Sequence, residues 1–184
     1  MAEITTHKQS PTDDLVSLRR YARRGDAEAL DLLIRRYQEM VLATCRRTLA
    51  NETDAEDAAQ ETFLKFARGA RSIRSNVAAW LHRCAIGTSQ DIARSNGARR
   101  RAEAVSLDRK RQHAAGDPDL VWKDIEPIID QAIQELDESD RDLIVARFLA
   151  RRPIEELANE AGVSVGTMSR RVRRVIGKLE TKLI

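Results

Sequence analysis

Apolar residues recur every three or four positions through most of the 184-residue chain, which is the spacing that puts them on one face of an α-helix. The second predicted helix, which follows Gly25, has the clearest stripe. Alternation with a period of two is scarce, and so are the β-branched and aromatic runs that favour sheets. The pattern therefore predicts an all-α fold. The stripe after Gly25 consists of Leu30, Leu33, Ile34, Tyr37, Val41 and Cys45.

The first half of the chain is predicted to form a bundle of helices. The first helix spans about residues 13–24, the third ends at Gly69, and the fourth spans about residues 76–94. Thr53 followed by Glu56 is typical of a capping box, so we expect the third helix to begin there. The inner face of the third helix holds Ala55, Ala59, Thr62, Phe63 and Phe66, and its outward residues are Asp57, Gln60, Glu61 and Lys65. The inner face of the fourth helix holds Val77, Trp80, Leu81, Cys84, Ala85 and Ile92.

The helical pattern fades between residues 96 and 123, where Gly, Pro, Asn and Asp interrupt a strongly charged sequence. A structureless loop of that length is uncommon inside one compact domain. We therefore predict two domains, at residues 13–95 and 124–184. A flexible linker at 96–123 joins them, and a disordered polar tail at 1–12 precedes the first.

The second domain has the spacing of a helix-turn-helix. Ser139 with Asp142 predicts one helix start, and Pro153 suits the first position of the next helix. Gly162 is expected to supply the positive φ of a tight turn, after which Ser164 caps the last helix. The apolar positions that hold the two helices together are Ile154, Leu157, Ala158, Val163 and Val172.

The last predicted helix begins with small residues and then carries a run of arginines. Backbone N–H groups at a helix N-terminus favour phosphate, and arginines bind phosphates or present a fork to guanine. A basic helix face alone is usually only a solvated surface, but here it coincides with the turn geometry, so we predict DNA binding. The candidate residues are Ser164, Gly166, Thr167, Ser169, Arg170, Arg171, Arg173 and Arg174.

The formal net charge of +3 conceals a separation of charge along the chain. Residues 51–61 hold five acids and no base, whereas residues 94–111 hold seven bases and two acids. An acidic helix face cannot bind a phosphate backbone and is instead suited to a basic protein surface. Blocks of opposite sign therefore indicate different partners for different surfaces.

Several classes of protein are excluded or disfavoured. No apolar run approaches the roughly 18 residues of a membrane span, and the N-terminus has no signal-peptide stretch, so we expect a cytoplasmic protein without membrane contact. Hydrolytic signatures and metal-ligand spacings are absent, so we predict no enzymatic activity, metal or cofactor. Cys45 and Cys84 are expected to be buried as small apolar residues, and His7, His82 and His113 are assigned to no site.

Five segments together resemble bacterial sigma factors of the sigma-70 family, of the extracytoplasmic-function type (group four). They read "LIRRYQEMV", "DAEDAAQETFLKF", "WLHRCA", "ELDESDRDLIVARFL" and "IEELANEAGVSVGTMSRRVRR". The pairing of D-x-x-Q-E-x-F with a C-terminal S-x-G-T helix-turn-helix is highly specific. The resemblance spans roughly residues 26–183 outside the linker. It implies two domains, conserved regions two and four, that bind core RNA polymerase and direct promoter recognition and opening.

The resemblance also assigns surfaces to tasks. The third helix is implied to dock on the β′ coiled coil of core polymerase through Asp54, Asp57, Gln60, Glu61 and Phe63. The opened minus-ten element of the promoter is implied to contact Arg71, Arg74, Ser75, Asn76, Trp80, Arg83 and Arg94. The last helix is implied to read the minus-thirty-five element, and the β flap of polymerase is a further implied contact. Phe63 and Trp80 also lie on apolar stripes, so a core role stays open for both.

Two departures from the family pattern limit what the resemblance implies. Gly87 stands where the family commonly has Asn, which puts one minus-ten contact in doubt and loosens the helix by up to about 1 kcal/mol. Gly166 to Arg171 read G-T-M-S-R-R where many members have G-T-V-K-S-R, so the promoter sequence does not transfer. An anti-sigma factor is a further implied partner. The alternative function is a stand-alone helix-turn-helix regulator that binds operator DNA as a dimer.

Overall fold

The computed structural model describes residues 11–49, 51–74, 76–104 and 129–183. Every regular element in those ranges is helical, which confirms the predicted all-α fold. In the first half the helices are α1 (Pro11–Arg24), α2 (Ala27–Thr48), α3 (Glu52–Gly69) and α4 (Val77–Ala104). In the second half they are α5 (described over 129–134), α6 (Glu138–Ile144), a π-helical turn (Val145–Leu149), α7 (Ile154–Glu160) and α8 (Val165–Leu183). None of the helices in the described ranges combines the length and apolar character that crossing a bilayer requires.

Side-chain caps fix where α2 and α3 begin. The carboxylate of Asp26 accepts a hydrogen bond of 3.1 Å from the backbone N–H of Ala29. The side-chain oxygen of Asn51 accepts one of 3.0 Å from the backbone N–H of Thr53. The predicted capping box at Thr53 is therefore wrong, because Asn51 is an equally strong cap and takes the position two residues earlier.

The core of the first half lies among α2, α3 and α4. Leu33, Phe66 and Leu81 are fully buried in it, and each such side chain contributes about 1.5–3 kcal/mol through burial. Ala55 and Ala58 on α3 are also fully buried, and their small side chains let α2 and α4 approach closely. The stripes predicted for these helices are thus confirmed as core, and the opposite face of α3 is left outside.

The fourth helix is longer than the sequence predicts. It continues through Ala104, so residues 96–104 are helical rather than part of a linker. The segment that follows Gly97 is rich in Ala, Arg and Glu, which are strong helix formers, and a single glycine costs only about 1 kcal/mol. The rest of the predicted linker lies outside the described residues, as does most of the predicted tail, although α1 already begins at Pro11.

In the second half, α6 begins earlier than predicted. Asp137 is its cap and accepts a hydrogen bond of 3.0 Å from the backbone N–H of Asp140, so Ser139 lies inside the helix. Pro153 is the N-cap of α7 rather than its first residue. Gly162 has the predicted positive φ, 65°, at the turn between α7 and α8. The helix-turn-helix is therefore present at the predicted place.

The two halves pack together along an interdomain seam formed by Arg47, Asn76, His82, Asp130 and Asp142. Asp130 accepts hydrogen bonds from Arg47 Nε at 2.8 Å and Arg47 Nη2 at 3.1 Å, and its Oδ1 lies 3.1 Å from His82 Nε2. His82 is fully buried, although the sequence assigned it no site. Burial alone raises the pKa of the Asp130 carboxyl, but the hydrogen bonds from His82 and Arg47 hold that pKa below its ordinary value.

Candidate protein and nucleic-acid interfaces

The acidic face of α3, formed by Glu56, Asp57, Gln60 and Glu61, points away from the core. Glu56, Asp57 and Gln60 are exposed, and Glu61 is half-buried. None of its three acids forms an ion pair with another described residue, whereas Glu52 at the start of the helix is paired with Arg46. The face therefore presents uncompensated negative charge to a partner.

Two of the residues predicted for the same surface sit differently. Asp54 is half-buried, and its carboxylate accepts a hydrogen bond of 2.9 Å from Asn96 Nδ2 on α4. Phe63 is half-buried and packs against the core, in keeping with its place on the apolar stripe. Leu64, which the sequence reading missed, is 50% exposed instead. It lies seven residues after Asp57 and four after Gln60, so helical spacing places it on the acidic face.

The segment between α3 and α4 carries the first predicted minus-ten residues. Arg71 and Arg74 are both exposed, and Arg71 Nε donates a hydrogen bond of 3.1 Å to the carbonyl of Ala22 on α1. Ser75 lies outside the described residues. Asn76 accepts a hydrogen bond of 3.1 Å from the backbone N–H of Ala79 and so caps α4.

The other predicted minus-ten residues do not join Arg71 and Arg74 on one surface. Trp80 is half-buried, with its ring centroid 5.8 Å from that of Phe66, which supports the core alternative for this residue. Arg83 lies 3.7 Å from Asp142 across the seam. Arg94 is exposed and paired with Asp91 on its own helix. The six predicted residues that the structure describes therefore divide among a loop, the core, the seam and the far part of α4.

The helix-turn-helix presents the start of α8 to solvent. Ser164 Oγ accepts a hydrogen bond of 3.2 Å from the backbone N–H of Thr167, which confirms the predicted cap. Gly166 and Thr167 are exposed, and Ser169 is half-buried. On the opposite side of α8, Met168 is buried against the rest of the second half. The cap and the buried stripe together fix which face of α8 is free.

The four arginines of α8 have different surroundings. Arg170 and Arg173 are exposed, and neither forms an ion pair with a described residue. Arg171 is half-buried in a cleft of about 180 Å³ that Asn76 also lines. Arg174 lies 3.7 Å from Asp140 on α6. Arg170 and Arg173 are therefore the two of the four that neither line the cleft nor contact an acid among the described residues, although Arg170 Nη2 donates a hydrogen bond of 3.3 Å to Thr167 Oγ1.

Charged contacts between α6 and α8 set the orientation of the basic helix. Lys178 Nζ donates a hydrogen bond of 3.1 Å to Asp137 and another to the buried carboxylate of Asp140. The backbone N–H of Asp140 and the ammonium of Lys178 hold the pKa of Asp137 well below its ordinary value. These carboxylates neutralise the C-terminal part of α8, so the positive charge without an ion partner is concentrated near its N-terminus.

Comparison with known protein families gives two matches on this chain. Sigma-70 region 2 matches residues 33–113, and Sigma-70, region 4 matches residues 132–180. The first match covers most of α2 and all of α3 and α4, and the second covers the helix-turn-helix. The acidic face of α3 and the basic face of α8 thus fall in separate conserved regions.

Curated relatives match over most of the chain. The RNA polymerase sigma-H factor of Pseudomonas aeruginosa is 30% identical over 82% of this chain and 84% of its own length. The ECF RNA polymerase sigma-E factor of Haemophilus influenzae is 27% identical over 86% of this chain and 89% of its own. Among solved structures, CnrH in complex with the cytosolic domain of CnrY aligns with a TM-score of 0.44 and 21% identity, over 93% of this chain and 97% of that chain.

The helical architecture with its helix-turn-helix defines a DNA-binding protein. The chain belongs to the sigma-70 family of RNA polymerase sigma factors, of the extracytoplasmic-function type, and directs promoter-specific transcription initiation. The stand-alone regulator is accordingly not favoured.

Proposed function

We propose that the acidic face of α3 binds core RNA polymerase while the N-terminal part of α8 binds the minus-thirty-five element. In this proposal, the loop after α3 holds the minus-ten strand, and the chain acts in the cytoplasm without catalysing a reaction itself. The observation that carries the proposal is the separation of unpaired charge: free acids on one helix, and free arginines on another. The same chain thus offers one surface to protein and one to nucleic acid.

The contact with polymerase is proposed to combine charge with an apolar centre. Asp57 and Glu61 are one helical turn apart, a spacing that lets both carboxylates pair with basic side chains of a partner helix. Leu64 continues the same face with an exposed apolar side chain, and apolar residues inside a charged rim are the usual anatomy of an interface. We therefore add Leu64 to the polymerase-binding residues predicted from the sequence.

The contact with the minus-thirty-five element is proposed to centre on the start of α8. Gly166 and Thr167 let the backbone approach phosphates at the helix N-terminus, where N–H groups favour anions. Arg170 and Arg173 follow on the exposed face and are suited to phosphates or guanine edges. Arg171 is half-buried in the cleft and Arg174 lies 3.7 Å from Asp140, and we assign these two the smaller share of the binding.

Simultaneous binding of both promoter elements requires the seam to open. Asn76, predicted for the minus-ten element, and Arg171, predicted for the minus-thirty-five element, line one cleft. The two elements are named for positions about 25 base pairs apart, which is about 85 Å along duplex DNA. Residues that share a cleft cannot reach both, so the two halves must separate when the chain engages a promoter.

In this proposal, the chain promotes strand opening by binding the unpaired bases, and it catalyses no reaction itself. Disrupting duplex DNA costs about 1.4 kcal/mol per base-pair step. Holding unpaired bases and their phosphates in a basic groove offsets part of that cost. Core polymerase supplies catalysis, and this chain selects where it begins.

The test is reconstitution with core polymerase. The full chain is mixed with core enzyme, the complex is isolated, and run-off transcription over fragmented genomic DNA is followed by mapping of start sites. We expect the chain to co-purify with core enzyme and to direct initiation at promoters that core enzyme alone ignores. A pure chain that ignores core enzyme and protects operators with two-fold symmetric footprints would instead support the stand-alone regulator.

A further inference from the structure

A groove lined by arginines runs between α1 and the segment that follows α3. A cavity of about 540 Å³ is lined by Arg19 and Arg23 of α1 together with Arg71 and Arg74. A second cavity of about 270 Å³ shares Arg23 and Arg71 with the first and adds Arg68. The two cavities share lining residues and so lie side by side, and we call them together the arginine groove.

The arginine groove carries positive charge that the chain itself leaves uncompensated. No acid is among the described residues that line the two cavities. Arg19, Arg23, Arg68 and Arg74 are exposed and form no ion pair with the described residues, whereas the neighbouring Arg20 is paired with Asp26. Like charges four residues apart on a helix, as in Arg19 and Arg23, destabilise it. An anionic ligand would remove that repulsion.

The shape of the groove is held by contacts that do not involve its free guanidinium groups. Ala70 and Ile73 are buried and form its floor. The hydrogen bond from Arg71 Nε to the carbonyl of Ala22 ties the loop to α1. The helix dipole accounts for Arg23 in the last turn of α1 and for Arg68 in the last turn of α3, but it does not account for Arg19 and Arg74 at the same place. Residues about 50 positions apart in sequence are thus brought together on one basic surface.

We infer that the arginine groove binds the phosphates of the unpaired promoter strand, and that Arg19, Arg23 and Arg68 extend the minus-ten site onto α1 and the end of α3. This inference rests on the proposed minus-ten role of Arg71 and Arg74. Two adjoining cavities lined by several separate cations suit successive phosphates of a strand better than a single small anion. Tyr21 lines the second cavity, and aromatic rings beside a basic groove are typical of single-strand binding.

The test compares two double variants in the complete holoenzyme. Arg19→Ala with Arg23→Ala removes two cations from the groove. The control variant, Arg24→Ala with Arg35→Ala, removes the same amount of charge from exposed positions outside the arginine groove. Arg24 lines neither cavity, and Arg35 is paired with Asp31 on the surface. Each holoenzyme is titrated with a mapped promoter, prepared as a closed duplex and with its minus-ten segment unpaired, at several salt concentrations. Thermal melting verifies that both variants fold.

On the unpaired probe we expect the groove variant to bind roughly tenfold more weakly. The slope of the logarithm of its binding constant against the logarithm of the salt concentration should be smaller in magnitude by about 1.4, because each single-strand phosphate contact contributes about 0.7. The control variant should match the wild type, and the closed duplex should show a smaller loss. Equal behaviour of the two variants, or an equal loss on both probes, would overturn the inference. Arg68→Ala provides an independent check in the second cavity.

A third arm separates strand phosphates from free nucleotides. Calorimetry of the full chain with a nucleoside triphosphate should detect no binding that depends on Arg19 and Arg23. If such binding were found and were lost in the groove variant, the groove would belong to a small phosphorylated ligand and the inference would fail. Failure of the proposed function is distinguishable, because the wild-type holoenzyme would then show no promoter binding on either probe.

Discussion

The two halves of the molecule use charge in opposite ways. In the first half, a large apolar core among α2, α3 and α4 holds the fold, and the free acids of α3 are left on the outside. In the second half α6 and α7 have only 7 residues each, and acids at the start of α6 pair with basic residues of α8. Arg170 and Arg173, near the start of α8, escape that pairing.

The difference indicates which charges have a structural role and which are available to partners. Charges at the seam and between α6 and α8 are buried or paired, so we expect their loss to affect stability. Charges on the acidic face of α3 and at the start of α8 are exposed or, at Glu61, half-buried, and they lack ion partners among the described residues, so we expect their loss to affect binding alone. The predictions below test that division.

The largest expected effect comes from removing the buried charge at the seam. Asp130→Ala leaves Arg47 and the fully buried His82 without their shared carboxylate. Breaking a buried ion pair costs about 3–5 kcal/mol of unfolding free energy. We expect a loss at the lower end of that range because Arg47 is partly exposed. Urea unfolding measures the loss. Asp31→Ala removes an exposed pair with Arg35 and serves as the control. Equal unfolding of the two variants would mean that the seam is not held by Asp130.

The same contact predicts a pH dependence of known sign. The pKa of Asp130 is held below its ordinary value of 3.8, so its contribution to stability is fully present above that value. The contribution is lost as the pH falls through the lower, folded-state pKa. The difference in unfolding free energy between the wild type and Asp130→Ala should therefore shrink as the pH falls below that ordinary value.

The next largest effect is expected on polymerase binding. Asp57→Arg with Glu61→Arg places two cations against the basic surface proposed for the partner, and like charges across an interface cost several kcal/mol. Affinity for core enzyme should fall by at least about tenfold, with the circular dichroism and melting temperature unchanged. Glu39→Arg with Glu180→Arg makes the same charge change at exposed positions of α2 and α8 and should bind normally. Unchanged affinity in the α3 variant would contradict the assignment.

A smaller effect is expected at the start of α8. Arg170→Ala with Arg173→Ala should weaken binding of minus-thirty-five duplex and reduce the salt slope by about 1.8, since each phosphate contact contributes about 0.9. Arg171→Ala with Arg174→Ala should reduce that slope less, because Arg171 is half-buried in the cleft and Arg174 lies 3.7 Å from Asp140. Filter binding over a salt series measures both. Equal losses would show that the intramolecular contacts do not limit these arginines.

The smallest effect concerns the interior of α4. A Cβ at Gly87 would meet nothing within 4 Å, so Gly87→Ala should stabilise the helix by about 0.5–1 kcal/mol. Gly87→Asn restores the residue that the family commonly has at this position. If Gly87→Asn binds unpaired minus-ten DNA more tightly than Gly87→Ala does, the asparagine restores a DNA contact that this chain lacks. Equal binding by the two variants would mean that position 87 does not contact the DNA.

Local patterns predicted most of the fold. The apolar stripe on α2, the turn at Gly162 and the cap at Ser164 all follow from spacing and residue type, and they are confirmed. The start of α3 was misplaced because Asn51 and Thr53 are competing caps of similar strength. The end of α4 was misplaced because Gly97 is too weak a breaker within a helix-forming sequence.

Contacts between segments that are distant in the chain could not be predicted from the sequence. Nothing near His82 in sequence marks Asp130 as its partner, and the pairing depends on how the two halves dock. The convergence of Arg19 and Arg23 with Arg71 likewise depends on the packing of α1. The position of Leu64 on the acidic face could have been predicted, because its helical spacing from Asp57 and Gln60 is visible in the sequence. The predicted roles in polymerase and promoter binding remain predictions.

Site-specific photo-crosslinking tests the division of charge most directly. A photo-reactive amino acid replaces Gln60 on the acidic face of α3 in one variant and Arg173 on α8 in another, and both are assembled with core enzyme on promoter DNA. We predict that position 60 links to a polymerase subunit and not to DNA, and that position 173 links to DNA. A link from position 60 to DNA, or from position 173 to polymerase alone, would contradict the account.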